Sequence, residues 1–211
     1  MAEMWQLLSQ AFSEAQGMNL WEGIAVLLAL AYLLLAMKAS VWCWGAALAS
    51  TAIYTVLFWQ VSLLMESVLN VYYMAMAVYG YWLWRRGGDK QQGIAVCTWH
   101  WQRHLALIGI TALASLGVGW LMANNTTAAF PYLDAATTCF AVMTTWLVAQ
   151  KVLENWLYWV VIDSVSIYLY LSKGLMLTSL LFVLYVILAV SGYFLWRADW
   201  QASRQPLAEG H

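Results

Sequence analysis

A nineteen-residue segment of this chain recurs in similar form. Residues 67–85 read SVLNVYYMAMAVYGYWLWR, and residues 179–197 read SLLFVLYVILAVSGYFLWR. At a gap-free offset of 112, eleven of the nineteen positions are identical, among them Ser67/Ser179, Tyr73/Tyr185, Gly80/Gly192, Trp84/Trp196 and Arg85/Arg197. Shared apolar bias would give about two or three identities. Each copy is an apolar run long enough to cross a bilayer as a helix. The pair predicts a duplicated unit. The same offset carries three apolar runs ending at Trp84 onto three ending at Trp196. One further run lies between them and restores the orientation. The expected fold is all-α and polytopic, with seven transmembrane helices in a parallel 3+1+3 repeat about an axis along the membrane normal.

Composition agrees. Of 211 residues, 64% are hydrophobic and only 9% charged, with a mean hydropathy of +0.69. A soluble domain of this length cannot bury so much apolar surface. The spans are expected at about Trp21–Met37, Val41–Trp59, Ser62–Trp84, His104–Ala123, Tyr132–Gln150, Asn155–Leu171 and Gly174–Trp196. This gives an interfacial segment over 1–20, a first repeat over 21–84, a loop and linker helix over 85–131, a second repeat over 132–197 and a tail over 198–211. Residues 1–20 hold no Lys or Arg, so they lack the basic start of a signal peptide. Met4, Trp5, Leu7, Leu8 and Phe12 suggest a short helix on the membrane surface. Gly93–Arg103 is expected to lie along the interface.

Charge sets the expected orientation. With the N-terminus outside, Lys38, Arg85, Arg86, Lys90, Arg103, Lys151, Arg197 and Arg204 fall in the cytoplasm, and Lys173 alone falls outside. Eight against one obeys the positive-inside rule, and the reverse orientation would invert it. The C-terminus is then cytoplasmic.

The stretch Glu154–Leu171 carries a carboxylate near its middle. On a helix, Asn155, Trp156, Trp159, Asp163, Ser166 and Tyr170 share one stripe about 100° wide. An ionisable group at membrane depth costs roughly 2.5–3.5 kcal/mol on insertion scales, so it faces protein or a wet cavity. Two tryptophans beside a carboxylate suit the wall of a pocket for a flat, partly polar ligand; interhelical packing explains the same spacing. The third span offers a second stripe with Glu66, Asn70 and Tyr73, and the fifth a third with Asp134, Thr138 and Thr145. These stripes are expected to converge on a central cavity. The spans hold no Lys or Arg in their interiors, so a cationic aromatic ligand fits, because tryptophan faces attract cations.

Other chemistry finds little support. Cys43, Cys97 and Cys139 are scattered and odd in number, which argues against a disulfide framework. His100 and His104 stand at i, i+4 near Cys97, a spacing read as an interfacial anchor rather than a metal site. No HExxH, P-loop or GxSxG motif occurs, and no cofactor is expected. A retinal protein would need a lysine inside the last helix, but Lys173 precedes it. An enzyme would have to use Asp163 and Glu66 as an acid/base pair without a nucleophile or metal motif.

Thr137–Thr138, ENWxxWxxxD at Glu154–Asp163, GYxxW at Gly192–Trp196, Glu66–Ser67 and YGYWLW at Tyr79–Trp84 together resemble the PnuC-type nicotinamide riboside transporters over about residues 20–197. The resemblance implies a bacterial inner-membrane vitamin transporter of SWEET-like 3+1+3 fold, usually trimeric. It implies facilitated diffusion, with the substrate trapped by cytoplasmic phosphorylation. It assigns binding roles to Asn155, Trp156, Trp159 and Asp163; Asn70 and Tyr73 come from the stripe on the third span. Relatives often have Gln before the tryptophan of the fifth span, where this chain has Thr145 before Trp146, and a basic residue near Gln150. Other members carry thiamine or riboflavin, so thiamine or another vitamin is the alternative substrate. Lipid and a small molecule are the expected partners, with no nucleic acid.

Overall fold

The computed structural model describes residues 20–60, 64–88 and 93–204. The expected surface helix near the N-terminus, the tip of the Arg85–Gln92 loop and the end of the tail lie outside them. Among the described residues there are seven α-helices: α1 Leu20–Met37, α2 Cys43–Gln60, α3 Leu64–Arg86, α4 Trp101–Asn125, α5 Pro131–Ala149, α6 Asn155–Ser172 and α7 Met176–Arg204. The expected spans are all there. The largest difference is α7, which runs eight residues past Trp196 because ADWQASR has no Gly or Pro to stop it. Helices α1, α4, α5 and α7 are long and apolar enough to cross a membrane. Polar residues dilute the others, notably Glu66 and Asn70 in α3 and Asn155 and Asp163 in α6. Large aliphatic side chains point outward, such as Leu113, 72% exposed, and Val161, 63% exposed. An outer surface of this kind suits lipid.

The described chain divides into two compact units. One holds 20–60, 64–88, 93–98, Trp146–Asn155 and 190–204. In it α2 packs against both α1 and α3. The Ser50 hydroxyl donates to the Ala25 carbonyl at 2.8 Å, and Ser67 donates to the Thr55 carbonyl at 3.0 Å. Gly80 lets the Trp44 ring lie against α3, since a Cβ there would come within 2.3 Å of the indole. Trp44 meets Trp84 edge-on at 5.3 Å, and Trp84 meets Trp196 at 5.9 Å.

Two turns in this unit share one geometry. After α1, the Ala39 amide donates to the Ala36 carbonyl and Ser40 to Leu35, at 2.9 and 3.0 Å. After α5, Lys151 donates to Val148 and Val152 to Leu147, again at 2.9 and 3.0 Å. Both are Schellman-type stops with a left-handed residue after the helix. The tryptophans then cross. Trp84 of α3 donates its indole N–H to the Ala149 carbonyl that ends α5, at 3.0 Å, and Trp196 of α7 donates to the Ala36 carbonyl near the end of α1, at 2.9 Å. Carbonyls in a last helical turn have no partner within the helix; the Trp84 indole caps that of Ala149, and the Trp196 indole adds a second donor to that of Ala36, which also accepts from the Ala39 amide.

Within the Gly93–Arg103 stretch, Cys97 forms a parallel bridge with Val152: its amide donates to the Lys151 carbonyl at 3.0 Å, and Leu153 donates to the Cys97 carbonyl at 2.7 Å. The segment is a strap across the turn between α5 and α6. Gly93 (φ 88°) permits its path, because a Cβ there would meet the Trp84 carbonyl at 2.3 Å.

The other unit holds Trp99–Thr145 and Trp156–Ala189. The Tyr132 ring lies against Gly119 of α4. Asp134 of α5 pairs with Lys173, in the turn after α6, at 3.0 Å. His104 Nδ1 and the Tyr158 hydroxyl lie 3.0 Å apart and share a hydrogen bond that ties α4 to α6.

Candidate functional site

The face of α6 is set by where its apolar residues point. Leu157, Val161 and Tyr168 are exposed on one side. On the other, Trp156 is 1% exposed, Asp163 4%, and Ser166 is also buried. The polar stripe therefore faces protein. Trp159 and Tyr170 on the same stripe are half-buried. Among the described residues, no hydrogen bond or ion pair reaches the Asp163 carboxylate. A carboxyl so placed is costly to keep charged unless it meets a donor or a cation.

Asn155 opens the helix and is fully buried. Its Nδ2 donates to the Val152 carbonyl at 2.7 Å, which fixes the amide. Its Oδ1 is a buried acceptor with no partner among the described residues. The Schellman turn and the Cys97 strap hold the backbone just before it. Asn155 thus presents a fixed, unfilled acceptor from a rigid base.

The α5 residues separate. Thr145 is buried, and its hydroxyl donates to the Ala141 carbonyl at 2.8 Å, inside its own helix. Thr138 is exposed. Asp134 is engaged by Lys173. The α3 residues separate as well. Asn70 is buried and donates to the Glu66 carbonyl at 2.9 Å. Tyr73 is half-buried against Tyr72, with ring centroids 5.5 Å apart, and the Glu66 side chain is exposed.

Two buried polar groups escape a reading by stripes. Thr144 is fully buried with an unpartnered hydroxyl among the described residues, and Trp44 is buried with an unpartnered indole N–H. Thr144 lies beside the expected Thr145. Trp44 stands 112 residues before Trp156, so the repeat offset was the signal that would have singled it out. Among the described residues, no group of three His, Cys, Asp or Glu side chains could hold a metal ion. The α6 stripe carries two indole faces, a buried carboxyl and a buried hydroxyl, side-chain types that suit a flat, partly polar organic ligand.

Comparison with known proteins gives the following likenesses. The family described as nicotinamide mononucleotide transporter matches residues 19–198. The chain is 21% identical over 174 residues to the nicotinamide riboside transporter PnuC of Escherichia coli strain K12, covering 71% of this chain and 73% of that one. It is 24% identical over 208 residues to the riboflavin/roseoflavin transporter RibM of Streptomyces davaonensis, covering 97% of each. Its fold is similar to that of a crystal structure of the vitamin B3 transporter PnuC, with a TM-score of 0.69 at 18% identity over 93% of this chain and 90% of the other.

Proposed function

The chain belongs to the nicotinamide mononucleotide transporter family, and from that premise we propose that it is a multi-pass membrane transporter that moves nicotinamide riboside by facilitated diffusion. Asp163 carries this reading: a carboxylate 4% exposed, without a protein donor among the described residues, on the stripe it shares with Trp156 and Trp159. A pyridinium ring stacked on an indole gains a cation–π term of roughly 0.5–2 kcal/mol. The carboxylate and the Asn155 Oδ1 suit the hydroxyls and amide of the same ligand. Trp156, Trp159, Asp163 and Asn155 contact the vitamin, and Thr145, Thr138, Asn70, Tyr73 and Glu66 are further candidates for its polar contacts. The transporter is a homotrimer of 3+1+3 protomers in a bacterial inner membrane, with its N-terminus outside, and phosphorylation in the cytoplasm traps the vitamin. The repeated turns at Ala39 and Lys151 and the crossed bonds of Trp84 and Trp196 support the 3+1+3 reading.

A second reading keeps the scaffold and changes the vitamin. The likeness to RibM spans nearly the whole of both chains, which favours a flavin. Thiamine shares the flat cationic ring. Calorimetric titration of the purified protein with nicotinamide riboside, thiamine and riboflavin decides among them. Tightest binding of nicotinamide riboside is the expected result; a flavin or thiamine preference would replace the substrate and leave the transport reading in place. In proteoliposomes the vitamin should equilibrate without an ion gradient. Accumulation above equilibrium that an uncoupler abolishes would overturn facilitated diffusion.

A further inference from the structure

The four groups of the crossed tryptophan bonds occupy one place in one unit. Trp84 and Trp196 occupy the same position in the twin segments, and their rings touch each other at 5.9 Å. Each bonds the last turn of the first helix in the opposite set of three: Trp84 to Ala149 of α5, Trp196 to Ala36 of α1. Both indoles are buried, Trp84 at 4% and Trp196 at 0% exposure. The Lys151 ammonium covers the Trp84 ring at 4.5 Å. Lys151 also holds a left-handed backbone conformation (φ 51°) that disfavours residues with a Cβ, and the Cys97 strap bonds its carbonyl. Strain of this sort persists where the surroundings enforce it. Lys38, Arg85 and Arg197 directly follow Met37, Trp84 and Trp196 in the chain, so basic residues flank the cluster in sequence.

We infer that Trp84 and Trp196 form a reciprocal latch that holds the basic ends of the two three-helix sets together, and that the vitamin leaves on that side only when the latch opens. Each indole reaches across, so any motion that separates α1 from α7 or α3 from α5 at this end must break a buried hydrogen bond. Because the rings also pack on each other, loss of one bond loosens the seat of the other. Two bonds coupled in this way open together, as a gate requires. Lys151 secures the Trp84 side, and Trp44, resting on Gly80 and against Trp84, backs it from α2. The release step rests on the transport reading; the latch itself does not.

The test replaces one indole N–H without changing ring size. 3-Benzothienylalanine is introduced in place of Trp84, and separately in place of Trp196, with Trp84→Phe and Trp196→Phe as genetically encoded companions. Amide hydrogen exchange is followed over the two turns, residues 35–43 and 147–155. The latch predicts that either replacement speeds exchange in both turns, roughly two- to tenfold, the range of one net hydrogen bond. Faster exchange only in the turn that has lost its own bond would overturn the coupling and leave two local caps. Equilibrium exchange of nicotinamide riboside, thiamine and riboflavin across proteoliposomes is measured on the same variants. A faster rate for whichever of the three wild type carries, at unchanged affinity, is expected; loosened turns with an unchanged rate would overturn the gating role. Wild-type protein that moved none of the three vitamins would sink the transport reading, while the two-turn comparison would still answer for the latch.

Discussion

Ala39 and Lys151 stand 112 residues apart and are the two described non-glycine residues with positive φ, at 49° and 51°. Each follows a helix, closes it with the same pair of backbone bonds, and leads into the next helix after a bond to Cys43 or Asn155 at 3.1 Å. The second of these turns aims Asn155 and the α6 stripe.

The left-handed turns predict a difference between two glycine variants. Ala39→Gly removes a Cβ from a conformation that disfavours it by roughly 1–2 kcal/mol, so thermal unfolding in detergent should move to higher temperature. Lys151→Gly gains the same relief but loses the ammonium over the Trp84 ring, worth about 0.5–2 kcal/mol. Its unfolding temperature should rise less or fall. An equal rise in both would remove the Lys151–Trp84 contact from the energetics.

Lys151 also predicts a pH dependence. Burial pulls its ammonium below the ordinary lysine value of 10.5, while Cys43 and Asp199 act more weakly in the opposite direction. The native state therefore releases this proton more readily than the unfolded state. Stability from this group should rise with pH through the range just below 10.5, and the penalty should persist at lower pH. Lys151→Met should flatten that slope in pH-resolved unfolding, and a slope equal to that of wild type would assign it to other groups.

Gly80 predicts the tolerance of the aromatic cluster. Gly80→Ala places a methyl against the Trp44 ring, which must move. Overpacking of this kind costs about 1–3 kcal/mol. The variant should unfold earlier and change its tryptophan emission. Unchanged stability would mean that the indole has room to swing away.

Much of this was legible in the sequence. The repeat offset and the apolar runs placed seven helices within a few residues except at the C-terminal end of α7, because membrane-length helices announce themselves by run length. The buried face of α6 was legible for a related reason: Leu157 and Val161 can face lipid, and Asn155 and Asp163 cannot. The crossed bonds of Trp84 and Trp196 were not, since nothing in a tryptophan's neighbours in sequence says which distant carbonyl its N–H will meet. The strap at Cys97 was hidden for the same reason. The α5 stripe shows the limit of periodicity. Asp134, Thr138 and Thr145 share a helical face, yet one is ion-paired, one exposed and one bonded within its own helix.

Orientation is tested by labelling. On a cysteine-free background, a membrane-impermeant thiol reagent applied from outside should reach Asn125→Cys and miss Asp89→Cys. The opposite pattern would reverse the topology drawn from the eight-to-one distribution of basic residues.

The central claim is that the α6 stripe binds the vitamin, and titration of three variants tests it most directly. Wild type, Trp156→Ala, Trp159→Ala and Asp163→Asn are purified, checked for an unchanged oligomeric state and titrated with nicotinamide riboside. Trp159→Ala should weaken binding by roughly 1–2 kcal/mol, about five- to thirtyfold, through loss of a cation–π contact. Trp156→Ala should act in the same direction. Asp163→Asn keeps the shape and removes the anion, so weaker binding there marks the carboxylate as a contact. Wild-type affinity in all three variants would contradict the account and return the stripe to helix packing.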